Sequence, residues 1–324
     1  MTLIGMTVPE AAVLAGAVLF GLGLDLAFGE PPARLHPVVA MGRYLGAAGR
    51  RVSRPAGAAG RPMAEFWRGA LGWCVGAVLV SALAVAAVWA VQGLHPLAQA
   101  GLFGLLLKPM LSWRMLRDEV AAVEAALAES LTAGRQRVGW LVSRDVTGLS
   151  ETQVREAAVS TLAENLNDSV VAPLFWFAVA GLPGAALYRF ANTADAMWGY
   201  RGERGGRDWT WAGKWAARAD DALSWLPARL TALLIALPTM GRRWSAVVAN
   251  AGLTPSPNGG WPMGALAVGL GIRLGKAGVY ELNRDGRAPR ASDTALALRR
   301  CGQVVAVLAL LAGAVLLLSL GRQP

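Results

Sequence analysis

Five stretches of the chain carry no charged residue: Ala11 to Leu24, Gly69 to Leu107, Ser169 to Tyr188, Leu230 to Gly241 and Cys301 to Gly321. A bilayer core of about 30 Å takes roughly 20 apolar residues in helix, so this pattern predicts a membrane protein. Gly69 to Leu107 is 39 residues long, with His95-Pro96 where a hairpin between two helices would turn. The first stretch extends back through the uncharged residues after Met1, and no basic segment precedes it, which favours a span over a cleaved signal peptide. Ser169 to Tyr188 is interrupted by Gly181-Leu182-Pro183-Gly184, leaving uncharged arms of 12 and 4 residues, each too short to cross alone. That stretch is either re-entrant or a helix pair buried in protein.

Polar islands separate the apolar runs. Residues 26 to 45 form a Pro-rich loop with Glu30, Arg34, His36 and Arg43. Residues 108 to 168 read as helices, one closed by Gly134 and another opened by a capping box of Ser150 and Gln153. Residues 189 to 229 read as two helical pieces around a Gly- and Arg-rich loop. No repeat or low-complexity linker marks a boundary, so residues 1–324 read as one membrane-embedded domain. The predicted fold is all-α and polytopic, with about four to six membrane helices or re-entrant segments and helical cytoplasmic islands.

Composition sharpens this picture. The chain of 324 residues is 55% hydrophobic and 16% charged, with a net charge of +10 from 28 Arg and 3 Lys against 21 acids. In so apolar a chain the excess is read as cytoplasmic loops following the positive-inside rule, rather than as a nucleic-acid surface. The loop from 26 to 68 carries seven Arg and two Glu. With that loop inside, the islands 108 to 168 and 189 to 229 also face the cytoplasm. Cys74 and Cys301 show no paired or metal spacing, and two His make a zinc site improbable.

Candidate chemistry gathers in the islands. Glu164 and Asp168 stand four residues apart in "AENLNDSVVAPLFW", on one face of a helix, where like charges repel and invite a cation. Mg²⁺ on a nucleotide phosphate suits one or two carboxylates plus waters; the plainer alternative is a solvated helix face. Asn192 and Asp195 form an i, i+3 pair, as do Arg218 and Asp221 with Asp220 alongside, and an ordinary helix ion pair is the plain reading of the latter. "TPSPNGGW" at 254 to 261 sets Ser256 and Asn258 in a turn suited to an anion, and Arg144 with Asp145 marks a polar contact at a helix start. "GLGIRLGKA" at 269 to 277 fails as a Walker A loop, because Leu270 and Ala277 stand where Gly and Ser or Thr belong.

The order of "HPVVAMGRY", "SRD", "AENLNDSVVAPLFW", "NTADAMWGY", "ARADDALSWLPARL" and "SPNGGWPMGALAVGLGIRLG" resembles the membrane-bound adenosylcobinamide-phosphate synthases, the CobD/CbiB family of cobalamin biosynthesis, from about Asp25 to Tyr280. The chain departs from that pattern at Ser169 and Lys276, where Gly is common, and at Thr254-Pro255, where a His often precedes Ser-Pro-Asn. The resemblance implies ATP-dependent joining of the free propionate of adenosylcobyric acid, a corrinoid, to aminopropanol or its phosphate. It implies catalytic roles for Glu164, Asp168, Asp195, Asp220 and Asp221, with Glu164 and Asp168 as the Mg²⁺ ligands. His36, Arg43, Arg144, Asp145, Asn165, Asn192, Tyr200, Arg218, Arg229, Ser256 and Asn258 would contact substrate or phosphate. The expected setting is the inner membrane, with a cytoplasm-facing site, membrane lipid and other late-pathway membrane enzymes as partners, and no nucleic acid. A non-catalytic membrane sensor of the same fold is the alternative. A transporter is disfavoured, because residues 69 to 107 and those after Cys301 carry few polar groups at mid-span.

Overall fold

The computed structural model describes residues 8–321. Among the described residues twelve α-helices carry the fold: α1 Val8–Phe28, α2 Pro37–Val52, α3 Pro62–Val91, α4 Pro96–Leu107, α5 Trp113–Glu129, α6 Leu131–Val138, α7 Glu151–Leu166, α8 Ala172–Trp198, α9 Lys214–Ala236, α10 Met240–Ala251, α11 Gly260–Leu270 and α12 Ala291–Leu320. Five short strands complete it: β1 Arg54–Pro55, β2 Glu203–Arg204, β3 Arg207–Asp208, β4 Leu274–Lys276 and β5 Tyr280–Leu282. Among the described residues four segments are long and apolar enough to cross a membrane: Glu10–Phe28, Pro62–Val91, Glu151–Trp198 and Ala291–Leu320. The all-α membrane class read from the sequence is the observed one.

The chain forms two compact units from interleaved segments. The first holds Met1–Leu111, Ala172–Leu223 and Leu311–Pro324, and the second holds Ser112–Val171 and Ser224–Leu310. Interleaving of this kind leaves no linker for a sequence to show.

In the first unit α1 packs on α4, while α2 and α3 pack on α8. The turn before Pro96 is where the sequence places it, but α4 has only 12 residues, about 18 Å at 1.5 Å per residue. A 3₁₀ turn at Lys108–Met110 ends it, where Pro109 cannot continue the ladder. The returning arm is thus shorter than a full span. α8 is kinked at Ala180 and Gly181, and Gly181 takes φ +63°, a conformation that suits a residue without Cβ. The most apolar window of Glu151–Trp198 is 61% buried, against 22% for Pro62–Val91 and 17% for Ala291–Leu320. Of the two sequence alternatives, this supports a helix buried in protein. Strands β1, β3 and β2 form an antiparallel sheet in that order, clamped by Arg54, whose Nη2 donates to Asp208 Oδ2 at 2.5 Å.

In the second unit α5 packs on α6 and α7, α7 on α11 and β4, and α10 on α11. The Ser150–Gln153 capping box forms as expected, with both reciprocal bonds made. Gly134, expected to close a helix, instead lies inside α6 against Leu127. Ser130 makes the break: its N–H bonds back to Ala126 O, and its hydroxyl accepts from Ala133 N–H to open α6. Leu230 to Gly241 is no span, but the end of α9, a 3₁₀ turn and the start of α10.

Candidate functional site

α7 does not run directly into α8. Residues Asn167–Val171 form a π-helical turn, a widening found often at functional positions. Local polar groups bond with the backbone here: the Ser169 hydroxyl donates to Asn165 O at 2.6 Å, and Ser169 O accepts from Ser112 N–H at 3.0 Å. The α-helical i, i+4 geometry expected for Glu164 and Asp168 therefore does not continue through Asp168. Its orientation is set by the wider turn and by Asn167.

The Asn167 side-chain amide donates to Asp168 Oδ1 at 2.8 Å. A carboxylate only accepts, so the amide nitrogen must face it and the amide oxygen must face away. That oxygen lies 3.0 Å from the fully buried Thr231 hydroxyl of α9, whose single proton it shares with Pro227 O at 2.8 Å. A buried chain, Thr231 to Asn167 to Asp168, thus orients a carboxylate that is itself partly exposed.

Glu164 is exposed and lies against the turn 256–259. A Cβ on Gly259 would stand 3.3 Å from Glu164 Oε1 and 3.2 Å from Met263 Cε, which places the Glu164 carboxylate beside this turn. Ser256 Oγ accepts from Asn258 N–H at 3.2 Å and shapes the turn. The buried Asn258 accepts from Arg229 Nη1 at 3.1 Å. Arg229 also donates to Trp225 O at 2.7 Å, and its guanidinium lies 4.1 Å from the Trp225 ring and 4.7 Å from that of Trp261. Burial pushes its pKa down from the ordinary value, but an arginine starts so high that it keeps its charge. Asn165 donates back to Thr161 O.

Tyr280, which sequence reasoning passed over, belongs to this neighbourhood. Its hydroxyl lies 3.6 Å from Met263 Sδ. Burial raises its pKa, the Glu164 and Glu156 carboxylates add to the rise, and Arg144 opposes it. The Arg144 Nε is buried with no hydrogen-bond partner among the described residues. Asp145 is occupied locally: its carboxylate accepts from the Thr147 N–H and hydroxyl at 2.9 and 2.8 Å, which holds its pKa below the usual value. The segment 143 to 145 is a bend rather than a helix start.

The remaining sequence candidates lie in the first unit. Asn192 of α8 donates to Asp220 of α9 at 3.4 Å, so two motifs 28 residues apart meet. Asp195 packs over Gly199, where a Cβ would fall 1.9 Å from Asp195 Oδ1. Arg218 is exposed and makes no ion pair among the described residues, so the expected helix pair with Asp221 is not formed. Tyr200 donates to Ala196 O and stacks under Arg204. His36 caps α2, with Nδ1 accepting from Val38 N–H, while Nε2 lies 3.0 Å from Glu30. Arg43 is exposed on α2.

Among the described residues no three His, Cys, Asp or Glu side chains are grouped as a metal cage. Glu164 and Asp168 are thus two carboxylates without a third acidic or imidazole neighbour among the described residues, and a Mg²⁺ bound there would need waters or phosphate oxygens to complete its set.

A family model described as CobD/Cbib protein matches residues 18–311. The probable cobalamin biosynthesis protein CobD of Methanothermobacter thermautotrophicus is 38% identical over 284 residues, covering 84% of this chain and 86% of that protein. The corresponding protein of Thermococcus kodakarensis is 39% identical, covering 91% and 95%. The cobalamin biosynthesis protein CobD of Stutzerimonas stutzeri is 42% identical over 314 residues, covering 92% and 97%. No solved structure matches.

Proposed function

The chain belongs to the CobD/CbiB family of cobalamin biosynthesis, and we propose that it is the ligase that joins the free propionate of adenosylcobyric acid to aminopropanol or its phosphate at the expense of ATP. The observation that carries this reading is the cluster in the second unit. There Asp168 is oriented through Asn167 and Thr231, Glu164 lies against the 256–259 turn, and Arg229 is tethered to that turn. A buried Arg144 Nε without a hydrogen-bond partner among the described residues adds a donor suited to an anion.

A carboxylate is a poor acyl donor until one of its oxygens is phosphorylated. In the proposed reaction ATP transfers its γ-phosphoryl group to the propionate oxygen, leaving ADP. The amine nitrogen then attacks the carbonyl carbon, the C–O bond to phosphate breaks, and inorganic phosphate leaves with the amide formed. Glu164 and Asp168 would hold Mg²⁺, which when bound neutralises phosphate charge. Arg144 and Arg229 orient phosphate oxygens through directional N–H bonds. The amine must shed a proton to attack, which calls for a carboxylate as general base; the family resemblance, rather than any shared pocket, is the ground on which we assign that role to Asp195, Asp220 and Asp221. Asn192 holds Asp220, and Arg218, His36, Arg43, Asp145, Asn165, Tyr200, Ser256 and Asn258 are assigned to substrate contacts or their support. We place the protein in the inner membrane with this chemistry on the cytoplasmic side, where the Arg-rich loops lie by the positive-inside rule.

The test is reconstitution. The detergent-purified chain is supplied with adenosylcobyric acid, MgATP and each amine in turn, and the corrinoid mass is followed together with phosphate release. One amide formed per phosphate released supports a ligase. Corrinoid binding without ATP turnover would instead identify a sensor of the same fold.

A further inference from the structure

A mostly polar pocket of about 820 Å³ lies wholly within the second unit, between the first turns of α7 and the β4–β5 hairpin. That is the size of an ordinary small-molecule site. Thr152 and Glu156 line it from α7, and Arg273, Gly275, Tyr280 and Glu281 from the hairpin side. Tyr280 ties the pocket to the cluster around Glu164. Its hydroxyl lies 3.6 Å from Met263 Sδ, and Met263 and Glu164 both border the Gly259 position. Glu156 and Glu164 are eight residues apart on α7, about 12 Å along the axis at 1.5 Å per residue, and the steps of four through Ser160 keep them towards one side of the helix.

Glu156 is only 5% exposed, yet its carboxylate is not closed off in a tight ion pair. Arg273 Nε stands 3.7 Å from Glu156 Oε1 and 3.6 Å from Glu281 Oε1, so one guanidinium nitrogen is divided between two carboxylates, each beyond hydrogen-bond length. Glu156 Oε2 lies against Gly275, 3.5 Å from where a Cβ would stand, and glycine puts no side chain between that oxygen and the pocket. Strand alternation turns Gly275 and its cross-strand partner Glu281 to one face of the hairpin, and Lys276 and Tyr280 to the other. A carboxylate only accepts, so what completes Glu156 must donate. A buried and weakly paired carboxylate is costly, and N–H donors from a ligand offset that cost.

We propose that this pocket seats the amine of the ligase reaction, with its ammonium hydrogen-bonded to Glu156. The identity of the amine rests on the ligase reading, whereas the pocket and its open carboxylate do not. The pocket is larger than the amine alone and leaves room for the propionate arm that the amine attacks. Lys276 also lines it and is the cation suited to a phosphate ester of the amine.

The experiment uses the full chain purified in maltoside, without ATP or corrinoid, and follows affinity by saturation-transfer NMR. The ligands are aminopropanol and its O-phosphate, each set against the analogue with a hydroxyl in place of the amine. The amine that this chain uses should bind on the order of tenfold more tightly than its hydroxyl analogue, and the tighter of the two amines identifies the form taken. Glu156→Gln should remove that preference. Ala277→Trp, at an exposed position on the pocket wall, should weaken amine binding by a similar factor without touching a charge. In the reconstituted reaction Glu156→Gln should raise KM for the amine and leave KM for ATP at the wild-type value. Amine binding with these losses but no amide formed would support the pocket and remove the ligase reading. Equal affinity for the hydroxyl analogue would overturn the ammonium assignment, and wild-type amine affinity in Ala277→Trp would overturn the pocket itself, whatever Glu156→Gln does to folding.

Discussion

Asn167 holds Asp168 through a hydrogen bond of 2.8 Å, and the Thr231 hydroxyl lies 3.0 Å from the other end of the same amide. This relationship sets the position of one of the two carboxylates on which the proposed chemistry depends. It also gives a test that touches neither carboxylate. Thr231→Val keeps the volume of a fully buried side chain but removes the donor to Asn167. We expect a stability loss of about 1 kcal/mol, read by thermal unfolding, and a severalfold fall in turnover with a raised Mg²⁺ midpoint. Wild-type turnover at full Mg²⁺ affinity would show that Asp168 does not need this support.

Arg218 is exposed and unpaired among the described residues, so its charge is not consumed by Asp221. Arg218→Lys keeps the charge and loses the planar fork that grips phosphate in two places. Most activity should be lost while stability stays within about 0.5 kcal/mol of wild type. Unchanged steady-state kinetics would remove Arg218 from substrate binding.

Asp208 is held at a pKa of about 2, below its ordinary 3.8, by the Arg54 hydrogen bond and then by those from Thr210. A depressed carboxylate pKa stabilises the folded state above the unfolded value, and that contribution is lost as pH falls from about 4 towards 2. The Tm gap between wild type and Asp208→Asn should therefore be constant from pH 7 to 5 and should shrink below pH 4. A gap that does not change across that range would show that the Arg54–Asp208 pair gives no pH-linked stability.

The islands 26 to 68, 108 to 168, 189 to 229 and 276 to 300 should share the cytoplasmic side. In a Cys74→Ser background, which removes the exposed native thiol, Asp145→Cys and Arg204→Cys should resist a membrane-impermeant maleimide in intact cells and react after lysis. Labelling of intact cells at either position would reverse the assigned orientation.

Periodicity and charge made the membrane class, the turn before Pro96, the break near Gly181 and the Ser150 cap readable in advance, because each rests on a local preference. The helix end misassigned to Gly134 shows the limit of such reasoning. Glycine there answers to Leu127 packed beside it, and Ser130 ends α5 by capping α6. The site was legible as a set of motifs but not as a geometry. Nothing in "AENLND" announces a π turn, since its bonds run to Ser112 and to the chain's own carbonyls. Tyr280 and Thr231 carry no local signal either, and tertiary contacts alone bring them to Glu164 and Asn167.

Glu164→Gln and Asp168→Asn, each titrated with Mg²⁺ at saturating ATP while amide product is followed, test the central claim most directly. The account predicts that both variants need several times more Mg²⁺ for half-maximal rate, and that excess Mg²⁺ partly restores turnover, because added metal offsets a lost ligand but cannot replace a lost base. Wild-type rates and Mg²⁺ midpoints in both variants would contradict it and leave Glu164 and Asp168 as a solvated helix face.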